Sequence, residues 1–163
     1  MADLATQLHD DPQNYVNDQN VEVAWAIKAA ESASIHMNLL LAVQDTTKLR
    51  LNKHQDEIYA KFRELFRDMD VENVTEDNLK GDNKERWREF CEHFKNVDDY
   101  NLGTILRRQA SGIYDEQNTL ITHKIVFLAV EAARNVEGIN QKWKSKFAEE
   151  HAAAHSAGDR NVI

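Results

Sequence analysis

The feature that most constrains the fold of this chain is the apolar run of residues 125–133, which reads Ile-Val-Phe-Leu-Ala-Val-Glu-Ala-Ala. A helix with this sequence is apolar on nearly every side, which is typical of a helix packed among several neighbours. Its only charge is Glu131. A buried carboxylate must be paired, so we expect Glu131 to meet a donor, with Arg107 and Arg108 as the candidates. Gly138 follows where a left-handed residue commonly ends a helix.

The composition favours one mainly helical domain. The chain has 163 residues, the length of a single domain, with one proline and five glycines, the residues that punctuate sheets and turns. We therefore expect a mainly α, single-domain, multi-helical orthogonal bundle of about five helices, with room for one short β pair. The helical domain is predicted over residues 20–148. A mobile acidic N-terminal arm, 1–19, and a frayed C-terminal tail, 149–163, are expected to flank it.

Apolar periodicity predicts the other helices. The first is expected from Asp18 or Asn20 to about Val43 and the second over about 53–68. A single turn is predicted after Thr75, and an Asp82–Glu85 capping box is expected to begin a helix ending near residue 96. One stripe of the first helix is predicted to face the core, and it consists of Val21, Trp25, Ile35, Leu39 and Val43.

The segment 97–118 is predicted to be largely loop, since it mixes glycine, serine and acidic residues. Residues 104–107 are expected to be extended and to pair with residues 49–51. Asn118 or Thr119 is expected to cap the central helix, and a last helix should follow Gly138.

The net charge indicates which kinds of partner the protein can bind, and the cysteine content indicates its cellular compartment. A net charge of −8 argues against direct nucleic-acid binding and against an anionic membrane surface, and it favours a basic or mixed-charge protein partner. Cys91 is the only cysteine, which fits a reducing compartment. The chain lacks a basic leader and an apolar run of membrane-spanning length, so a cytoplasmic protein is expected. A monomer is expected.

The chemistry-bearing residues do not form a recognisable catalytic or metal set, so a non-enzymatic protein without a cofactor is predicted. His151 and His155 stand at helical spacing without an obvious third metal ligand. Cys91 falls at a core-facing helix position, and adjacent Asp98 and Asp99 point apart in an extended chain. The sequence has no Walker loop, dinucleotide fingerprint or Gly-x-Ser-x-Gly motif.

Residues of a glycine-containing loop, with polar residues of the central helix, are the least explained by packing, and we predict that they bind a partner. They are Tyr100, Asn101, Gly103, Thr104, Arg107, Arg134 and Asn135. The alternative interpretation is that Asn101 and Thr104 satisfy loop backbone groups and that Arg107 neutralises Glu131.

Several of these motifs resemble one known family. Residues 100–107, Tyr-Asn-Leu-Gly-Thr-Ile-Leu-Arg, and residues 127–138, Phe-Leu-Ala-Val-Glu-Ala-Ala-Arg-Asn-Val-Glu-Gly, are similar to the eukaryotic polysaccharide biosynthesis domain-containing protein family. The resemblance extends to Lys-Leu-Arg-Leu at 48–51, Asp-Glu-Ile-Tyr at 56–59 and Arg-Trp-Arg-Glu-Phe at 86–90. Two positions depart from the family pattern. Lys124 stands where the family usually has an arginine, and Val136 stands where the family usually has a basic residue.

The resemblance implies a role in the biogenesis of translation elongation factor 1-alpha. A protein of this family is expected to be a dedicated chaperone for the nascent GTP-binding domain of that factor as it leaves the ribosome. Two alternatives remain open. The family name suggests an accessory or transferase role in polysaccharide biosynthesis, and a general protein-interaction scaffold would bind mature folded partners as well as nascent ones.

Overall fold

The structure, a computed structural model, describes residues 19–163, so the predicted arm lies outside the described residues except for Gln19. Within that range it is a mainly α single domain, as predicted, with five helices of ten or more residues, a one-turn helix and a two-stranded sheet. The helices are α1 (Gln19–Ala42), α2 (Gln55–Leu65), α3 (Glu76–Leu79), α4 (Lys84–His93), α5 (Lys124–Val136) and α6 (Ile139–Ala157). The strands are β1 (Gly103–Arg107) and β2 (Thr119–His123).

The predicted extended segment at residues 104–107 is confirmed, but its predicted partner is wrong. β1 pairs antiparallel with β2, with Gly103 opposite His123 and Arg107 opposite Thr119. Residues 49–51 are instead the connector that follows a single 3-10 turn, Thr46–Lys48. The predicted cap of the central helix is also wrong, because residues 119–123 form β2 and α5 begins only at Lys124.

The central helix α5 is packed among its neighbours, as its apolar sequence predicts. All but three of its thirteen residues are buried. A first apolar cluster joins α5 to α2, α4 and the sheet, and its aromatic side chains include a stacked pair, Phe66 and Trp87, with ring centroids 4.1 Å apart. A second cluster joins α1 to α6 through Met37, Leu40 and Phe147. The α5 helix ends as predicted, at left-handed Gly138 with φ of 79°.

Local capping explains where two short helices begin. Thr75 and Asn78 form a reciprocal capping box at α3, in agreement with the turn predicted there. The predicted Asp82–Glu85 capping box is wrong, because Asn83 occupies the N-cap position of α4 and makes no side-chain cap bond. A single 3-10 turn, Gly81–Asn83, feeds α4 instead.

The two ends of the described chain differ from the sequence predictions. In α1, Ile35 is 61% exposed and Leu39 is 40% exposed, whereas Ala33 and Met37 are buried. The predicted core stripe is therefore wrong at these positions. Fraying from residue 149 is also wrong, because α6 continues to Ala157 and Ile163 donates its backbone N–H to Tyr114 O at 3.0 Å.

Candidate functional site

Glu131 is the centre of a buried polar network. Its carboxylate accepts hydrogen bonds from Arg107 Nη2, at 3.2 Å to each oxygen, and from Arg134 Nη1 at 2.8 Å. None of these three side chains has exposed surface. Burial raises the pKa of Glu131, but the two guanidinium groups outweigh burial and hold that pKa well below its usual value. The predicted pairing with Arg107 is confirmed, while Arg108 turns away to Glu76.

Other donors of the two arginines hydrogen-bond to backbone carbonyl groups of neighbouring segments of the chain. Arg107 Nη1 donates to the carbonyl oxygens of Ala110 at 2.9 Å and Gly112 at 3.0 Å. Arg134 donates to the carbonyl oxygens of Val71 at 2.7 Å and Arg107 at 2.8 Å. The network thereby ties α5 to β1, to the turn after β1 and to the segment before α3.

Asn140 connects the same network to α6. Its Oδ1 accepts from Arg107 Nη2 at 2.9 Å, and its Nδ2 donates to Glu131 Oε1 at 3.1 Å and to Asn135 Oδ1 at 2.7 Å. Both asparagines are fully buried. Polar side chains can occupy the core here because most of their donors and acceptors bond to one another, although Arg107 Nε and Asn135 Nδ2 have no partner among residues 19–163.

His36 brings α1 into the network. Its Nδ1 lies 2.7 Å from the Tyr114 hydroxyl, and its Nε2 lies 3.8 Å from Glu131 Oε1. Burial lowers the pKa of His36 to about 4, and the arginines add to this effect while Glu131 opposes it. The imidazole is therefore neutral at pH 7. Burial also raises the pKa of Tyr114, which stays protonated.

Three of the predicted site residues belong to this buried network. Arg107, Arg134 and Asn135 have no exposed surface, so they are core residues that cannot contact a partner directly. Arg107 neutralises Glu131, as the alternative interpretation of the sequence predicts. The other four predicted residues, Tyr100, Asn101, Gly103 and Thr104, are half-buried and reach the surface in two grooves.

The first groove, here called the α1 groove, lies between α1, β1 and the start of α5. It has a volume of about 260 Å³, and Gly103 and Thr104 line it together with Ile35 and Leu39. Trp25 of α1 donates its indole N–H to Gly103 O at 3.1 Å, which holds α1 against β1.

An exposed apolar row on α1 runs beside this groove. Its members recur at intervals of four residues, with Glu31 in the middle, and they are Val23 (58% exposed), Ile27 (55%), Ile35 (61%) and Leu39 (40%). We call them the α1 apolar row. Sequence reasoning missed their exposure, although a signal was present, because apolar residues occur on every side of α1 and one helix cannot bury all of its sides against this core.

The second groove, here called the β2 groove, lies between β2 and the helices α3 and α4. It has a volume of about 910 Å³ and is lined by all five residues of β2 and by Tyr100, Asn101 and Gly103. Its buried and half-buried lining is largely apolar and includes Leu79, Trp87 and Cys91. The charged side chains around it are Lys80, Lys84, Arg88 and Arg108 against Glu76 and Glu92.

Cys91, the only cysteine of the sequence, lines the β2 groove. Burial raises the pKa of the Cys91 thiol to about 11, so Cys91 is protonated at neutral pH and is a poor nucleophile. Within residues 19–163, no group of three His, Cys, Asp or Glu side chains could hold a metal ion. The same range contains no helix that is long and apolar enough to cross a lipid bilayer.

The fold and its surfaces define a class: a mainly helical single domain with a buried ionic core and two open, largely apolar grooves. Within that class, the chain belongs to the PBDC1 protein family, whose sequence model matches residues 21–145. The chain is 42% identical over 140 residues to Protein PBDC1 of Mus musculus, a match that covers 85% of this chain and 70% of the mouse protein.

Two further comparisons agree with this assignment. Protein PBDC1 of Homo sapiens is 38% identical over 143 residues, which are 86% of this chain but 61% of the human protein, so the chain spans less than two thirds of that relative. The solution NMR structure of a Saccharomyces cerevisiae protein superposes with a TM-score of 0.69 at 39% identity, over 79% of this chain and 92% of that one.

Proposed function

We propose that this protein is a non-enzymatic cytosolic binding protein, a dedicated chaperone for nascent translation elongation factor 1-alpha. The observation that carries the proposal is the α1 apolar row, which exposes four large apolar side chains on one helix. Contiguous apolar surface rimmed by polar groups is characteristic of protein-binding sites. A chaperone needs such a surface for an unfolded segment and does not need reacting groups.

The α1 groove supports the same proposal. Ile35 and Leu39 belong both to the row and to the groove wall, so an apolar segment lying along the row can place a side chain in the groove. The identity of the client rests on the resemblance of residues 100–107 and 127–138 to the family. The net charge of −8 is compatible with a basic or mixed-charge client.

The alternative role in polysaccharide biosynthesis has less support. Nucleotide-dependent α/β enzymes bind their nucleotide at the carboxyl edge of a parallel sheet. Across residues 19–163 the strands form a single antiparallel pair. A general scaffold would present the same apolar row, so it is distinguished by its clients rather than by its geometry.

The test is capture of nascent chains from a translating lysate by the tagged protein, read by mass spectrometry. We expect enrichment of nascent elongation factor 1-alpha, and a loss of about tenfold when Ile35→Ser and Leu39→Ser are combined. Val136→Ser is the matched control, since Val136 is 44% exposed but lies on α5, outside the row.

Two results would overturn the proposal. Elongation factor 1-alpha absent from the captured nascent chains would remove the client. Equal loss in the double variant and in Val136→Ser would show that the α1 apolar row does not bind it. Equal capture of the mature, folded factor would favour the scaffold.

A further inference from the structure

The β2 groove contains backbone hydrogen-bonding groups that face outward from the sheet. Arg108 N donates to Asn118 O at 2.7 Å, and Lys124 N donates to Leu102 O at 2.8 Å, one bond at each end of the pair. In an antiparallel pair the bonded residues alternate with residues whose N–H and C=O groups point away from the partner strand. With the observed register, the outward-facing residues are 103, 105 and 107 in β1 and 119, 121 and 123 in β2.

Side chains already donate hydrogen bonds to some of the outward carbonyl groups of each strand. On β1, Gly103 O accepts from Trp25 Nε1 at 3.1 Å and Arg107 O accepts from Arg134 Nη2 at 2.8 Å. On β2, Thr119 O accepts from Arg108 Nε at 3.2 Å. The outward N–H and C=O of Ile121 have no partner among residues 19–163, and neither do those of Ile105 on β1. Ile105, however, is half-buried and packs against the second apolar cluster, whereas the side chain of Ile121 is 67% exposed. Unpaired backbone groups on a strand edge are a template for pairing with another chain.

The groove follows this edge. Consecutive residues of a strand point to opposite faces, so a cavity on one face of β2 would be lined mainly by alternate residues. All five residues from Thr119 to His123 line the β2 groove, which shows that the groove runs along the edge. Its volume of about 910 Å³ lies within the range of about 300–1,000 Å³ that is usual for ligand sites.

The charge around the groove contrasts with that of the whole chain. Four cationic side chains line it against two anionic ones, although the net charge of the protein is −8. Glu76 is already paired with Lys80 and Arg108, each at 3.2 Å, and Glu92 is paired with Lys95 at 3.3 Å. Arg88 is paired at the exposed surface with Glu85, at 3.3 Å, but Glu85 does not line the groove. The groove is therefore locally basic and attracts acidic side chains.

We propose that the β2 groove binds an extended acidic peptide segment of a partner protein, which adds to β2 as a third strand. The backbone of Ile121 supplies the pairing groups. Alternate side chains of the peptide pack on the apolar lining, and the intervening carboxylates face Lys84 and Arg88 of α4. This interaction uses a different surface from the α1 apolar row and does not depend on the function proposed above.

The experiment is a titration of the ¹⁵N-labelled full chain with the synthetic probe acetyl-(Val-Glu)4-amide, followed by NMR. We expect the largest amide shifts along residues 119–123 and slower hydrogen exchange of the Ile121 amide, because that N–H gains an acceptor. Combining Lys84→Glu with Arg88→Glu should weaken binding at least about tenfold. Lys53→Glu, a charge reversal at an exposed residue that does not line the groove, should bind like the unmodified chain.

Peptide controls separate strand addition from simple charge attraction. Acetyl-(Val-Lys)4-amide should not bind. A (Val-Glu)4 probe that is N-methylated at alternate residues keeps its charges but loses pairing donors, so it should bind much more weakly.

The proposal fails if the shifts lie outside β2, if the Ile121 amide exchanges at an unchanged rate with the probe bound, or if Lys53→Glu weakens binding as much as the α4 double variant. The Ile35→Ser and Leu39→Ser variant should retain peptide binding, so failure of this proposal and failure of the proposed chaperone function give different results. Circular dichroism confirms that each variant remains folded.

Discussion

The network around Glu131 and the α1 apolar row reverse the usual distribution of residue types. Glu131, Arg107 and Arg134 are fully buried, whereas Ile27 and Ile35 are more than half exposed. Polarity alone therefore does not decide which side chains of this protein are buried. The charged groups are buried because each finds partners of the opposite kind, and the apolar row is exposed because the core offers α1 only one face.

The two regions also differ in what they contribute. The buried ions lose their hydration on folding, and only their mutual hydrogen bonds and attraction offset that cost. The stability of the network therefore depends on every member. Exposed apolar side chains change their environment little on folding, so they contribute little to stability and are available for binding. We therefore expect mutations in the network to change stability, and mutations in the row to change binding.

The largest effect expected is that of Glu131→Gln. The substitution keeps the shape but removes the charge that compensates Arg107 and Arg134, and we expect the free energy of unfolding to fall by about 3–5 kcal/mol in urea denaturation. Glu64→Gln is the control, because Glu64 is exposed and its effect should stay within about 0.5 kcal/mol. A loss below about 1 kcal/mol for Glu131→Gln would contradict the role assigned to the network.

Acidification should weaken the network through His36. Its pKa falls from 6.5 in the unfolded chain to about 4 in the folded protein. Between these values the unfolded chain binds more protons, so stability falls as the pH is lowered from about 6.5 to about 4, by up to about 3 kcal/mol from this group. Glu131 adds a loss of the same sign at lower pH, because its folded pKa is depressed.

Urea denaturation across this pH range, on the unmodified chain and on His36→Gln, isolates the histidine contribution. Between pH 4 and 6.5, the free energy of unfolding should fall more steeply with decreasing pH in the unmodified chain than in the variant. Parallel curves would show that His36 is not a buried neutral histidine.

A smaller effect is expected where an ion pair is only partly buried. Glu137 accepts from Arg63 Nε and Nη2, each at 2.7 Å, and from the Tyr59 hydroxyl at 2.8 Å, which joins α5 to α2. Since this cluster keeps contact with water, Glu137→Gln should lower the free energy of unfolding by about 1 kcal/mol, measured by thermal or urea denaturation. A loss as large as that of Glu131→Gln would mean that burial does not separate the two clusters.

The smallest effect on stability is expected in the α1 apolar row. Ile35→Ser and Leu39→Ser should each change the free energy of unfolding by no more than about 0.5 kcal/mol in urea denaturation, even though both residues are large and apolar. Ala33→Ser, on the buried face of the same helix, provides the contrast and should cost more, since Ala33 is 3% exposed. Losses above about 2 kcal/mol in the row would show that it is covered in solution.

The parts of the fold that were predictable are those in which local pattern and packing agree. The sequence of α5 allows no other environment than a core, so both the burial of α5 and the need of Glu131 for a cation could be predicted. The strand partner could not be predicted, because residues 49–51 and 119–123 both read as short extended segments and the choice between them depends on the chain path. For α1, a helix that is apolar on several sides does not specify which face is buried.

The candidate surfaces were less predictable than the fold. Tyr100, Asn101, Gly103 and Thr104 do reach the grooves, whereas Arg107 and Arg134, which are predicted to bind a partner, are core residues. The β2 groove was not predicted. Whether a strand lies at the edge of a sheet depends on which other segments pair with it, and the sequence of the strand does not show this.

The amino-acid sequence specified a mainly helical domain, the central position of α5 and the requirement that Glu131 be paired, since each of these depends on residue types at short range. The tertiary structure alone decided that two arginines meet that carboxylate, that Ile35 and Leu39 face outward, and that the outward backbone groups of Ile121 have no partner within residues 19–163. These features arise where segments distant in sequence meet, and their energies depend on burial, which is a property of the assembled chain.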